Sequence, residues 1–143
     1  TAKDNVLRYA MLLGMEKKEI EAKMKDIIEF AELEKFEDIK LKNFSSGMYQ
    51  RLAFSIMAHM NPDIMMIDEA LFAGDMGFQK KCFDTIIKFK KENKSILLVS
   101  HNMEPMESMC DRAILINNNK IESIGNPKDV IKQFKKLFTD QKN

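Results

Sequence analysis

Two short apolar runs each hand over to residues able to do chemistry. Ile64-Met65-Met66-Ile67 is followed by Asp68-Glu69, and Ile96-Leu97-Leu98-Val99 by Ser100-His101. In open α/β sheets ligands bind at the carboxyl ends of parallel strands, so these runs would bring two carboxylates and an imidazole to one rim. An acidic pair in that place suits divalent-metal phosphate chemistry. One carboxylate holds Mg²⁺, directly or through water, and the next orients an attacking water. Taken singly, Asp68-Glu69 also reads as a solvated loop, and His101 as a surface or helix-capping histidine. Their joint placement carries the functional reading. The third element is Phe44-Ser45-Ser46-Gly47-Met48-Tyr49-Gln50-Arg51. Ser45, Ser46 and Gly47 open a helix, so free backbone N–H groups and small hydroxyls meet at its positive end, a natural phosphate site. An ordinary serine N-cap has the same local spelling.

The elements that must position these groups follow from hydrophobic period. A first helix is predicted from Asn5 to Leu13, stopping at Gly14, which suits a left-handed cap. Ile20, Met24, Ile27, Ile28 and Ala31 recur at helical spacing within an amphipathic helix from Lys17 to Leu33. Its polar face mixes Glu and Lys, which favours a packed helix over one lying on a membrane. The serine-led helix runs to Met60 and is ended by Asn61-Pro62. The two wholly apolar runs predict buried parallel strands covered on both faces. Between them Phe78, Cys82, Ile86 and Phe89 form one stripe of a helix from Phe78 to Lys91, completing a β-α-β crossover. Ala113 to Ile116 and Lys120 to Ile124 flank Asn117-Asn118-Asn119 and predict a hairpin. Asn126-Pro127 opens a last helix, to Phe138, with Asn126 as cap. Thr139 to Asn143 reads as a frayed tail.

Composition narrows the function classes. The 143 residues are 45% hydrophobic and 31% charged with 5 Gly and 3 Pro, a globular balance with enough apolar side chains for a core. Lys plus Arg number 23 against 22 Asp plus Glu, a formal net charge of +1. That balance provides no general basic face for gripping nucleic acid. No apolar run approaches the roughly 18–20 residues of a membrane span. The beginning of the chain, Thr1-Ala2-Lys3-Asp4-Asn5, lacks a hydrophobic signal core. Cys82 and Cys110 form no Cys-x-x-Cys, and with two histidines they make no zinc set, so two reduced thiols are expected. The 12 methionines read as flexible core filling.

Together these motifs resemble those of ABC-transporter ATPases. Ser45-Ser46-Gly47-Met48-Tyr49-Gln50-Arg51-Leu52-Ala53 is similar to the signature motif, and Pro62-Asp63-Ile64-Met65-Met66-Ile67-Asp68-Glu69 to the Walker B strand. Ala73-Gly74-Asp75 resembles the D-loop and Val99-Ser100-His101 the switch histidine. Order and spacing agree from about residue 1 to residue 134. The wording Ser-Ser-Gly-Met-Tyr and Cys110-Asp111-Arg112-Ala113 is most similar to ATPases of polysaccharide and teichoic-acid exporters. The resemblance implies an α/β fold, a partial P-loop NTPase core. Residues 1–44 would form a helical subdomain leaning on a membrane-spanning transporter subunit. Residues 45–138 would be the C-terminal part of the ATPase core, ending in a hairpin and helix, and residues 139–143 a tail. It implies ATP and Mg²⁺ as ligands, with Asp68 holding the metal through water, Glu69 polarising the hydrolytic water and His101 contacting the γ-phosphate. Ser45, Ser46 and Gly47 would serve nucleotide held by a second ATPase subunit in a head-to-tail dimer, with Asp75 at the seam. It implies no nucleic-acid partner, and a cytoplasmic location on the inner face of the cell membrane.

Two departures qualify the resemblance. The usual L-S-G-G-Q reads Phe44-Ser45-Ser46-Gly47-Met48, and Met48 cannot hydrogen-bond as glutamine would. No G-x-x-x-x-G-K-S/T occurs anywhere, and the first glutamine is Gln50, so the Q-loop glutamine is missing as well. The chain reads as the part of a nucleotide-binding domain that follows that loop. The phosphate cradle is what the P-loop supplies, so this chain alone is expected to bind ATP weakly and to show no turnover. Two other classes compete: a soluble ATPase of the same superfamily in DNA maintenance, and a non-catalytic interaction module that keeps the dimer surface. The first would bring long heptads, which are lacking here, and regained hydrolysis on adding a P-loop half would exclude the second.

Overall fold

The computed structural model describes residues 1–68 and 75–140. The chain divides into two compact units, Thr1–Leu97 and Leu98–Asn143.

The first unit begins with helix α1, Ala2–Leu12, which starts earlier than the apolar pattern indicates because Thr1 and Asp4 form a capping box. Ala2, Val6 and Ala10, four residues apart, form its fully buried stripe. Gly14 follows at φ 99°, a left-handed angle that suits glycine, and its N–H donates to the Met11 carbonyl at 3.0 Å. Helix α2, Lys17–Phe30, buries Ile20, Ile27 and Ile28. Two short 3-10 turns, Glu34–Phe36 and Leu41–Asn43, lead to helix α3, Ser46–Met60. Its Leu52 and Ile56 pack into the core made by α1 and α2. Ser55, fully buried, donates its hydroxyl to the Ile27 carbonyl at 2.5 Å, so this polar side chain joins α3 to α2 without leaving an unmet group. The helix ends where expected, at Asn61 in the left-handed conformation (φ 51°) before Pro62.

Strand β1, Ile64–Asp68, helix α4, Met76–Lys91, and strand β2, Ser95–Val99, follow in the order expected. The strands lie side by side in a two-stranded parallel sheet. At its entry the Ser95 N–H donates to the Asp63 carbonyl at 2.9 Å, and Lys94 pairs with the Asp63 carboxylate at 3.0 Å. The α4 stripe Phe78, Cys82, Ile86 and Phe89 is buried in full. Phe78 meets Phe30 and Phe54 edge-on, at centroid distances of 6.0 and 6.2 Å.

One expectation is corrected here. The apolar runs predict strands covered on both faces, whereas in β1 burial alternates: Met65 and Ile67 are 2% and 1% exposed, Ile64 and Met66 both 71%. Leu97 of β2 is half exposed. The composition of the run is that of a two-sided strand, but in this chain one side of it meets solvent. An apolar residue records what a face is suited to meet, not what meets it.

In the second unit, helix α5, Met103–Met109, is an element the periodicity did not reveal. Seven residues are too few for a stripe, yet its local signals are present: the Asn102 side chain accepts from the Glu104 N–H at 3.1 Å, and Pro105 sits in the first turn. Strands β3, Ala113–Asn117, and β4, Lys120–Gly125, form the expected antiparallel hairpin, with Ile114 opposite Ile124 and Ile116 opposite Ile121. Asn118 and Asn119 both have positive φ (48° and 59°), the two-residue turn whose twist matches the strands. Helix α6, Pro127–Asp140, lays Val130, Phe134 and Leu137 on Ala113 and Leu115. The Asn126 side chain caps it, accepting from the Lys128 N–H at 3.0 Å. Among the described residues no helix is long and apolar enough to cross a membrane.

Candidate functional site

The serine-led turn is built by its own first residue. Ser45 is extended (φ −69°, ψ 161°) and its hydroxyl accepts from the Met48 N–H at 3.2 Å, capping α3. Ser45 and Ser46 are exposed, so the amide-rich positive end of a 15-residue helix faces outward. A Cβ built on Gly47 would meet the Ser45 hydroxyl at 3.9 Å, ordinary contact, so nothing among the described residues demands a glycine there.

Asp68 closes β1 with an exposed side chain. Glu69, Ala73 and Gly74, named above as base and D-loop residues, lie outside the described residues. His101 stands exposed in the turn after β2, where the Ser100 hydroxyl accepts from the Asn102 N–H at 2.9 Å. Asp68 belongs to the first unit and His101 to the second. Among the described residues no three His, Cys, Asp or Glu side chains gather as a ready metal cage. A single outward carboxylate at a strand end nevertheless fits Mg²⁺, which usually keeps its waters and takes one or two carboxylates beside phosphate oxygens.

The structure does bring Asp75 to the signature helix. Asp75 caps α4, accepting from the Phe78 N–H at 3.0 Å, and its other oxygen pairs with the Arg51 guanidinium. The Phe78 amide above all, and Arg51 with it, hold the Asp75 carboxyl below the usual carboxylate range. Arg51 also pairs with Glu32 at 2.7 Å and lies over the Phe78 ring, 5.1 Å from its centroid. Lys81 completes the cluster, pairing with the other Glu32 oxygen at 2.5 Å. Sequence reasoning gave Arg51 no role and passed over Glu32 and Lys81. The available signal was Ala31-Glu32-Leu33 closing a helix, where a glycine would be the usual left-handed residue. Nearby, Tyr9, Leu13, Leu41, Tyr49, Leu52 and Ile56 line an apolar cleft, and the hydroxyls of Tyr9 and Tyr49 lie 2.9 Å apart. With no charged group in its walls among the described residues, that cleft does not suit a triphosphate.

Comparison with known proteins agrees with these motifs. Residues 1–72 match the family described as ABC transporter. An O-antigen export system ATP-binding protein, RfbB, of Klebsiella pneumoniae is 43% identical over 96% of this chain and 56% of its own length. A teichoic acids export ATP-binding protein, TagH, of Lactococcus lactis subsp. lactis (strain IL1403) is 45% identical over 96% of this chain and 29% of its own. A solved ATP-binding subunit of an ABC transporter superposes with TM-score 0.81 at 22% identity, over 100% of this chain and 62% of that one. A dimeric ATP-binding cassette in a post-hydrolysis state, bound to ADP and Pi, superposes with TM-score 0.72 at 23% identity, over 89% and 56%. The fold is therefore the α/β fold of ATP-binding cassettes, in part. The chain spans about half the length, or less, of the curated relatives it matches.

Proposed function

Because this chain belongs to the ABC transporter family, we propose that it is the signature-to-switch portion of the ATP-hydrolysing subunit of an exporter of polysaccharide or a similar polymer. The observation that carries the reading is the outward-facing, serine-capped start of α3, where none of the described residues requires Gly47, on the unit that also ends β1 in Asp68. The relatives' names, for O-antigen and teichoic acid export, support the substrate class.

Each residue then has a task. The N–H groups at Ser46 and Gly47 and the Ser45 and Ser46 hydroxyls stabilise the γ-phosphate of ATP held by a second, head-to-tail subunit. Asp68 would hold Mg²⁺ through water. When bound, that ion would neutralise charge on the β- and γ-phosphates. Glu69 orients and deprotonates the attacking water. His101 donates to the γ-phosphate, and Asp75 stands at the seam between subunits. Residues 1–44 face a membrane-spanning partner, and the protein works on the cytoplasmic side of the membrane.

These 143 residues contain no P-loop motif, so on their own they bind ATP weakly and do not turn it over. The test assembles the chain with a polypeptide that carries a P-loop, with and without Glu69→Gln. Hydrolysis is expected only in the assembly, and Glu69→Gln should lower it by roughly 10²–10⁴-fold while nucleotide binding survives. Saturable Mg²⁺-dependent hydrolysis by the chain alone, or full turnover in the Glu69→Gln assembly, would refute the proposal.

A further inference from the structure

The end of α2 carries a backbone outlier whose side chain explains it. Glu32 lies in the left-handed region, φ 59°. Its N–H donates to the Glu29 carbonyl at 3.0 Å and the next N–H, of Leu33, to the Ile28 carbonyl at 3.1 Å. This is the closing turn in which glycine is favoured, because a Cβ crowds the backbone there. Glutamate gains nothing from the turn itself. Its carboxylate is instead divided between two helices: one oxygen meets Arg51 of α3 at 2.7 Å and the other Lys81 of α4 at 2.5 Å.

Arg51 is the hub. It is 18% exposed, its second nitrogen pairs with Asp75 at the start of α4, and the Phe78 ring supports it from below. Lys81 in turn lies 5.9 Å from the centroid of Phe30, the last residue of α2. An isolated surface ion pair carries little energy. A planar guanidinium held by two carboxylates and a ring is different, because it fixes an orientation. The fixed element is α3, five residues beyond Ser46, where the helix opens.

We propose that Glu32 is a positioning residue which, through Arg51, sets the rotation of α3 and so the presentation of Ser45, Ser46 and Gly47 to a triphosphate. The proposal rests on the function assigned above, and its test separates the two. Glu32→Gly removes both ion pairs while relieving the left-handed residue. Glu32→Gln keeps the shape and the acceptor oxygen without the charge. In the assembly with a P-loop polypeptide, Glu32→Gly is expected to lower kcat about tenfold, the scale of a displaced binding group, and to leave KM for ATP in place. Glu32→Gln should fall between it and the wild type. In the isolated chain, the amides of Met48 and Tyr49 should exchange hydrogen faster in Glu32→Gly, without a fall in thermal midpoint. Wild-type kcat in Glu32→Gly, or a loss of kcat that follows a lowered thermal midpoint, overturns the proposal. If the wild-type assembly shows no hydrolysis at all, the functional reading fails, and the exchange measurement still decides the positioning role: unchanged exchange at Met48 and Tyr49 refutes it.

Discussion

Replacing Gly47 by alanine separates what this chain needs from what a nucleotide needs. Gly47 is the second residue of α3 and has a helical, not a left-handed, backbone. Among the described residues the added methyl would meet only the Ser45 hydroxyl, at 3.9 Å, so no steric cost arises from them. Glycine in a helix costs about 0.5–1 kcal/mol relative to alanine, so the substitution should stabilise the first unit by about 0.5 kcal/mol, less than the full figure because the position lies in the first turn. For a unit of this size that corresponds to a rise of about 2–4 °C in thermal midpoint. In the assembled ATPase the same methyl would occupy the surface presented to the γ-phosphate and spoil the donors placed there. Loss of one such preorganised donor typically lowers turnover by roughly 10²–10³-fold. The assay pairs thermal or urea unfolding of the isolated chain with steady-state hydrolysis by the assembly. A stability loss above about 1 kcal/mol, beyond the ordinary cost of a surface substitution, would mean that the Cβ meets something inside the chain. Undiminished turnover would mean that Gly47 does not face the nucleotide.

Two further outcomes follow from packing and thiol chemistry. Phe78→Ala should destabilise the chain by about 3–5 kcal/mol, since Phe78 is fully buried between Phe30 and Phe54 and supports Arg51; urea unfolding followed by circular dichroism that shows a loss below about 1.5 kcal/mol would contradict this packing. Burial pushes the Cys82 thiol up to about 12, so at pH 8 a thiol reagent should leave it unmodified in the native chain while the less buried Cys110 reacts; intact mass before and after denaturation reads this directly, and native labelling of Cys82 would count against it.

Much of this protein is local, and what is local is legible in the chain. The Ser45 cap, the stop at Asn61-Pro62, the α4 stripe, the Asn118-Asn119 turn and the Asn126 cap each arise from residues within a few positions of one another, so period and turn chemistry alone determine them. The motif order that points to an ATP-binding cassette is likewise a property of the linear sequence. Tertiary structure decided the rest. Whether Ile64 and Met66 are covered depends on what stands opposite β1, which no run of apolar residues states. The cluster of Glu32, Arg51, Asp75 and Lys81 draws on positions up to 49 residues apart, and it exists only because α2, α3 and α4 converge. A charge in a sequence is a solvated side chain until folding brings its partner within a few ångströms, because Coulomb attraction acts through distance and dielectric, neither of which is written in the order of residues.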